Sequence, residues 1–162
     1  MEIRDYSELG ITVEDHVAVM EIQRPPHNFF DFELISQLSA ACEALGENDA
    51  CRTIVLCAAG KSFCAGANFG DGSGDQHQRD RQTGHLYQEA VRLFRTPKPI
   101  IAAVHGAAIG GGLGLAISAD FRVTCPEARF AGSPQHATTA CRGDRSMAPR
   151  TPRLGNGVAA ME

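Results

Sequence analysis

At 162 residues, the chain is long enough to bury the core of one domain and short for two. Its formal net charge of -4 argues against a general nucleic-acid binder, which is usually basic over the whole domain. No apolar run approaches the length of a membrane span, and residues 1–10 lack the apolar core of a secretory signal. We therefore expect a cytoplasmic protein with neither a nucleic-acid nor a membrane partner.

Cysteines and acidic residues do not indicate a metal site. The six cysteines form no CxxC pair and no zinc-like cluster with the six histidines. His77 lies among three aspartates in the polar stretch Gly70–Gln82, but their spacing matches no ligand template. We expect no bound metal, and reduced thiols rather than disulfides.

The first predicted strand is Val17–Ile22, which alternates and is rich in β-forming residues. The segment Arg24-Pro25-Pro26-His27-Asn28 stops it. Two prolines force an extended backbone and withhold two N–H donors. This composition suits an exposed loop or a shelf beside a ligand.

A helix and a buried strand follow. From Asp31 to about Gly46, apolar residues recur at spacings of three and four, and Asp31 is placed to cap the helix. Thr53–Cys57 is a continuous apolar run, which predicts a strand buried on both faces. The order of elements at this point is β, α, β.

Small residues fill Ala58–Phe69, and we interpret this stretch as a loop at the carboxyl end of the buried strand, where α/β folds place ligands. Its Gly60-Lys61-Ser62 is not a phosphate loop, because Val55 stands where that motif needs a glycine. Further on, we predict a helix whose apolar face, up to the prolines at 97 and 99, consists of Tyr87, Ala90, Val91 and Phe94.

A third predicted strand, followed by a glycine turn and a helix, lies within residues 100–123. Ile100–Val104 predicts a strand, and the glycines at 110, 111 and 112 open an apolar helix ending near Asp120. The glycines do not complete a GxGxxG dinucleotide motif. They leave bare N–H groups at a helix start, which suits an oxyanion. Short strands are then predicted at Phe121–Thr124 and Ala128–Ala131.

Two loops thus end two buried strands. One presents the N–H of the residue after Gly66, and the other the N–H of a glycine at a helix start. Two such donors aimed at one point form an oxyanion hole, suited to a thioester carbonyl that becomes an enolate.

The segments GKSFCAGANF and AAVHGAAIGGGLGLAISADFRV resemble the crotonase, or enoyl-CoA hydratase/isomerase, superfamily, with likeness from Val13 to Ala131. This resemblance implies an α/β fold made of a spiral of ββα units, an acyl-CoA ligand with no separate cofactor, and a homotrimer or dimer of trimers. It implies that Ala67 and Gly111 donate the oxyanion-hole N–H groups and that Asp120 is structural. It also implies a set of substrate-binding residues: Pro26, His27, Ala65, Gly66, Asn68, Phe69 and Gly110.

Two positions depart from the family pattern. Hydratases of the family place catalytic glutamates where this chain has Gly114 and, after the ARFA strand, Pro134. Water addition needs an acid and a base beside the Cα–Cβ bond. The sequence therefore leaves two interpretations open: an enzyme of the hydratase/isomerase type, and a non-catalytic acyl-CoA binding module or inactive truncated fragment.

Residues 132–162 differ from the predicted core at 1–131. Periodicity is lost, arginines cluster, and the family's C-terminal helices do not follow. We expect a truncated fold with a disordered tail. Either a translational frameshift near Ala131 or a natural short variant with a basic tail would produce this pattern.

Overall fold

The structure, a computed structural model, describes residues 6–29, 31–66, 86 and 88–132, and the backbone of 158–160. Two sheets and three helices are present in this part of the chain. The large sheet has the strand order β1-β2-β3-β5-β7-β9, formed by Leu9–Glu14, Val17–Ile22, Thr53–Ala58, Ile100–Val104, Phe121–Thr124 and Val158–Ala160. The small sheet has the order β4-β6-β8, formed by Ser62–Cys64, Ala107–Ile109 and Arg129–Ala131. The helices are α1 (Phe32–Glu47), α2 (residues 88–93) and α3 (Gly111–Ser118).

Successive strand pairs build the two sheets together. Each pair, β3 with β4, β5 with β6 and β7 with β8, adds its first strand to the large sheet and its second to the small sheet. Neighbouring strands from successive pairs run parallel in both sheets. The chain therefore winds as a spiral, and among the described strands the β1–β2 hairpin alone forms an antiparallel pair.

Helix α1 supplies much of the core. Asp31 caps it by accepting a hydrogen bond from the Leu34 N–H at 3.1 Å. Its residues at spacings of three and four are buried and belong to one apolar cluster with the inward residues of β2 and β3: Leu34, Ile35, Leu38, Ala41, Cys42 and Leu45. The sequence prediction of an amphipathic helix is confirmed.

The longer predicted strands are confirmed as β2, β3, β5 and β7, and the glycine turn does open helix α3. The loop assigned to Ala58–Phe69 is wrong in part, because Ser62–Cys64 forms strand β4. Strands β1 and β6 were also missed. β4 and β6 are three residues long, and such short segments carry no readable period.

Two burial predictions are corrected by the structure. In β3 the residues alternate between buried and half-buried, so one face is less covered than a strand buried on both faces would be. Within α2, Val91 is exposed by 52% and Leu93 is buried, and beside α2, Phe94 is exposed by 67% and Leu86 is buried. The buried face of that segment is therefore rotated from the predicted one.

In the tail, the backbone of β9 pairs in parallel with β7. The other residues from 133 onward lie outside the described part, so their expected disorder stays a prediction. Among the residues described, no helix is long and apolar enough to cross a membrane. Within the same ranges, no three His, Cys, Asp or Glu side chains gather as a metal site requires, and the five cysteines there form no disulfide.

Candidate functional site

Two chain turns meet at one edge of the small sheet. β4 and β6 run parallel, with Ser62 opposite Ala107 and Cys64 opposite Ala108. Because parallel strands end at the same edge, the residues after β4 and those after β6 emerge side by side. The first turn begins with Ala65 and Gly66, and the second contains Gly110 and Gly111.

The contact between these turns requires glycine at position 112. A Cβ added to Gly112 would lie 2.8 Å from the Cβ of Cys64 and would collide with the Cys64 carbonyl oxygen. Helix α3 therefore begins directly against the end of β4. On the other side of the contact, Gly66 has a φ of +119°, a conformation that other residues rarely adopt, and its added Cβ would lie 3.6 Å from the Ile109 carbonyl oxygen.

The start of α3 has backbone N–H groups that find no acceptor within the helix. Gly110 is the N-cap, and its own N–H donates to the Ala131 carbonyl at 2.8 Å. The first bond inside the helix runs from the Gly114 N–H to the Gly110 carbonyl at 3.1 Å. The N–H groups of Gly111, Gly112 and Leu113 consequently have no acceptor within the helix, and they carry the partial positive charge of a helix N-terminus.

The loop 24–28 holds strand β4 from the other side. It contains a cis peptide bond between Pro25 and Pro26, and Asn28 adopts a φ of 49°. The Asn28 side chain is fully buried, and its Nδ2 donates to the carbonyls of Ala59 at 2.6 Å and Ser62 at 2.7 Å. Its Oδ1 accepts from the Arg24 N–H at 3.0 Å. One residue earlier, the His27 carbonyl accepts from the Ala65 N–H at 2.9 Å.

Arg24 is engaged in ion pairs at the base of this loop. Its Nε lies 3.2 Å from Glu8 Oε1, and its Nη2 lies 2.9 Å from Asp31 Oδ2. Burial opposes the ionisation of Asp31, but the bonds from Arg24 and the Leu34 N–H outweigh it and hold the Asp31 pKa below its ordinary value. At Glu8, burial dominates and raises the pKa despite the Arg24 charge. Because its guanidinium group is engaged by these two carboxylates, Arg24 stabilises the loop.

Among the predicted site residues, the Ala65 N–H bonds to the His27 carbonyl, and Gly66 lies beside Ile109, the residue before Gly110. Pro26 and His27 are exposed, and the His27 ring lies 5.1 Å from the ring of Phe29. Ala67, Asn68, Phe69 and Pro134 lie outside the described residues, so their roles stay predictions. Gly114 is exposed on α3.

Asp120 lies at the opposite end of α3. Its Oδ2 accepts from the Ile100 N–H at 2.8 Å, and its own N–H donates to the Ile100 carbonyl at 2.9 Å. These contacts are those of a structural residue. Sequence reasoning missed Asn28, although an asparagine directly after a Pro-Pro-His turn is a known signal for a left-handed backbone.

Comparison with known proteins places this fold in a family. A family model described as enoyl-CoA hydratase/isomerase matches residues 12–141, a range that extends past Ala131. The chain is 38% identical over 123 residues to "Probable enoyl-CoA hydratase echA6" of Mycobacterium bovis, covering 75% of this chain and 49% of that protein. It is 33% identical over 133 residues to crotonyl-CoA hydratase of Syntrophomonas wolfei, covering 80% and 51% respectively.

A solved structure agrees. The crystal structure of enoyl-CoA hydratase from Mycobacterium smegmatis superimposes with a TM-score of 0.71 at 28% identity, covering 80% of this chain and 52% of that one. The chain spans about half the length of the curated relatives it matches. The α/β fold with crotonase-fold structural neighbours confirms the predicted fold class.

Proposed function

The chain belongs to the enoyl-CoA hydratase/isomerase family, and from that premise we propose that it binds an acyl-CoA thioester and stabilises the enolate formed from it. The observation that carries the proposal is the meeting of the two turns, after β4 and after β6, with α3 packed against Cys64. The contact between Gly112 and Cys64 supports the proposal, because Gly111 precedes Gly112 in the chain and Ala67 follows Cys64 by three residues.

In the proposed mechanism, the N–H groups of Gly111 and Ala67 donate to the thioester oxygen. As negative charge develops on that oxygen, each donor lowers the barrier by roughly 2.7 to 4 kcal/mol. Backbone donors suit this task because they do not ionise and need no reorganisation when the charge forms. The helix N-terminus at Gly111 adds a favourable partial charge.

The loop 24–28 and the turn after β4 form the proposed shelf for coenzyme A. Pro26 and His27 are exposed. By resemblance to the family, the proposed shelf also includes Ala65, Gly66, Asn68 and Phe69. Coenzyme A enters as part of the substrate, so the proposal includes no separate cofactor. Assembly as a homotrimer or dimer of trimers and a cytoplasmic location complete the proposal on the family's pattern.

Proton transfer distinguishes the two forms of the proposal. An enzyme of the hydratase/isomerase type needs an acid–base group near the Cα–Cβ bond, and Gly114 supplies none. A non-catalytic acyl-CoA binding module, or an inactive fragment, is the second candidate, and the exposed Gly114 favours it.

Calorimetric titration with crotonyl-CoA, followed by a turnover assay on 2-enoyl and 3-enoyl thioesters, tests both candidates. Binding with turnover supports the enzyme, and binding alone supports the module. No heat of binding would contradict the enzyme and the binding module and would leave the inactive fragment. Gly111→Pro should abolish turnover or weaken thioester binding, because it deletes one donor at a helix position that accepts proline. Gly114→Ala is the matched control, since it alters the same helix and deletes no N–H group.

A further inference from the structure

We infer that Asn28 is a positioning residue that holds strand β4, which leads to one proposed backbone donor, against the start of helix α3, which carries the other. This inference rests on the proposed function, because it concerns how the donors of that site are held. Asn28 is fully buried and is one of three buried polar residues in the described part of the chain. Its side chain bonds to three main-chain groups, the Arg24 N–H and the carbonyls of Ala59 and Ser62.

The Asn28 amide joins two segments that are far apart in sequence. Both Nδ2 protons are used, one on the Ala59 carbonyl and one on the Ser62 carbonyl, 31 and 34 residues away. The Oδ1 atom closes the turn by accepting from the Arg24 N–H. An amide is the side chain that offers two donors and an acceptor in one plane, so no other residue of similar size makes this set of bonds.

Residues 27 and 28 together form hydrogen bonds at both ends of strand β4. Asn28 binds Ser62, the first residue of β4, and the His27 carbonyl binds the N–H of Ala65, the residue after its last. The third constraint on the strand is Gly112, which packs against Cys64. β4 is thus fixed between loop 24–28 and helix α3.

The attachment of β4 affects both proposed backbone donors. One proposed donor follows β4 by three residues, and the other begins α3, which touches β4 at Cys64. We therefore expect loss of the Asn28 hydrogen bonds to loosen β4 relative to the start of α3. Hydrogen bonding to a developing oxyanion tolerates displacements of only about 0.5 Å. Loss of the Asn28 amide should therefore weaken recognition of the thioester carbonyl more than binding of the rest of coenzyme A.

Asn28→Gly is the sharpest variant, because glycine accepts the φ of 49° and the change removes the side chain with its three hydrogen bonds. Binding of hexanoyl-CoA is compared with binding of hexyl-CoA, a thioether that lacks the carbonyl oxygen. We expect the wild-type chain to prefer the thioester by about tenfold, the value of one to two modest hydrogen bonds. In the variant the preference should fall close to one, with the affinity for the thioether little changed.

Ser39→Ala is the matched control. Ser39 is fully buried, and its Oγ donates to the Glu89 carbonyl at 3.0 Å, so its removal also deletes a buried bond from a side chain to the main chain. This variant should keep the thioester preference even if it lowers stability. Equal loss of preference in both variants would overturn the assignment, because it would reflect general destabilisation.

The outcomes distinguish a failure of the proposed function from a failure of the role of Asn28. A wild-type chain that shows no thioester preference overturns the proposed function and the role of Asn28 with it. A wild-type preference that Asn28→Gly retains overturns the role of Asn28 alone.

If Asn28→Gly fails to fold, Asn28→Asp keeps the shape and the acceptor while removing both donors. The wild-type chain also gives a readout that needs no variant. Hydrogen exchange at the Ala65 N–H should slow at least threefold more with hexanoyl-CoA than with hexyl-CoA. The reason is that binding of the thioester carbonyl should stabilise the hydrogen bond between Ala65 and His27 at the end of β4. Equal rates with the two ligands would overturn the inference.

Discussion

Gly112 and Gly114 lie two residues apart on helix α3 and have opposite surroundings. A Cβ at Gly112 would collide with the main chain of Cys64, whereas among the described residues a Cβ at Gly114 would meet no atom within 4 Å. The side of α3 that faces β4 is thus closed, and the side that carries Gly114 is open. The closed side holds the proposed donors in place. By resemblance to the family, hydratases place a catalytic carboxylate on the open side, at the position of Gly114.

The largest effect is expected from Gly112→Ala. The added methyl group meets main-chain atoms, which cannot move aside as the end of a flexible side chain can. We expect a loss of about 3 kcal/mol or more in the free energy of unfolding. Urea unfolding followed by circular dichroism measures it. A loss below about 1 kcal/mol would show that the contact with Cys64 is loose.

Asp31→Ala tests the support of the closed side from loop 24–28. The change removes both the helix cap at Leu34 and the ion pair with Arg24, so stability should fall by about 1.5 kcal/mol. Asp31→Asn is the control, since it keeps a cap acceptor and loses only the charge.

The same carboxylate gives a pH dependence. The folded pKa of Asp31 is lowered, so its contribution is complete above the ordinary pKa and is lost as the pH falls through the folded value. Wild-type stability should therefore decline more steeply than that of Asp31→Asn between about pH 5 and pH 2. Parallel curves for the two proteins would contradict the shift.

Gly114→Ala should raise stability, by about 0.8 kcal/mol, because alanine is the better helix former and the open side leaves room for its methyl group. The measurement is the urea experiment used for Gly112→Ala, which makes the two variants directly comparable. A destabilised Gly114→Ala would show that this side of α3 is covered.

The smallest effect concerns thiol reactivity at the closed side. Cys64 is fully buried at the end of β4, and Cys42 is buried with its pKa raised by that burial to about 11. Both should react more slowly with a thiol reagent at pH 8 than the half-buried Cys125. Mass spectrometry after timed labelling identifies the sites. In Gly112→Ala, labelling of Cys64 should accelerate while labelling of Cys42 does not.

Much of the fold follows from the sequence alone. Apolar spacing predicted α1 and its Asp31 cap, and apolar runs predicted the longer strands, because these patterns arise within a single segment. The two glycine-bearing motifs also sufficed to indicate the family that the comparisons then showed. Local patterns carried this information without any knowledge of tertiary contacts.

Only the tertiary structure decided how the segments meet. The three-residue strands β4 and β6 exist because the spiral pairs them, and the buried face of α2 is set by what it packs against. The role of Asn28 depends on carbonyls 31 and 34 residues away, and the need for glycine at 112 depends on Cys64. Such contacts join segments that no local period connects, so the sequence could indicate the donor turns but not the side chain that holds them together.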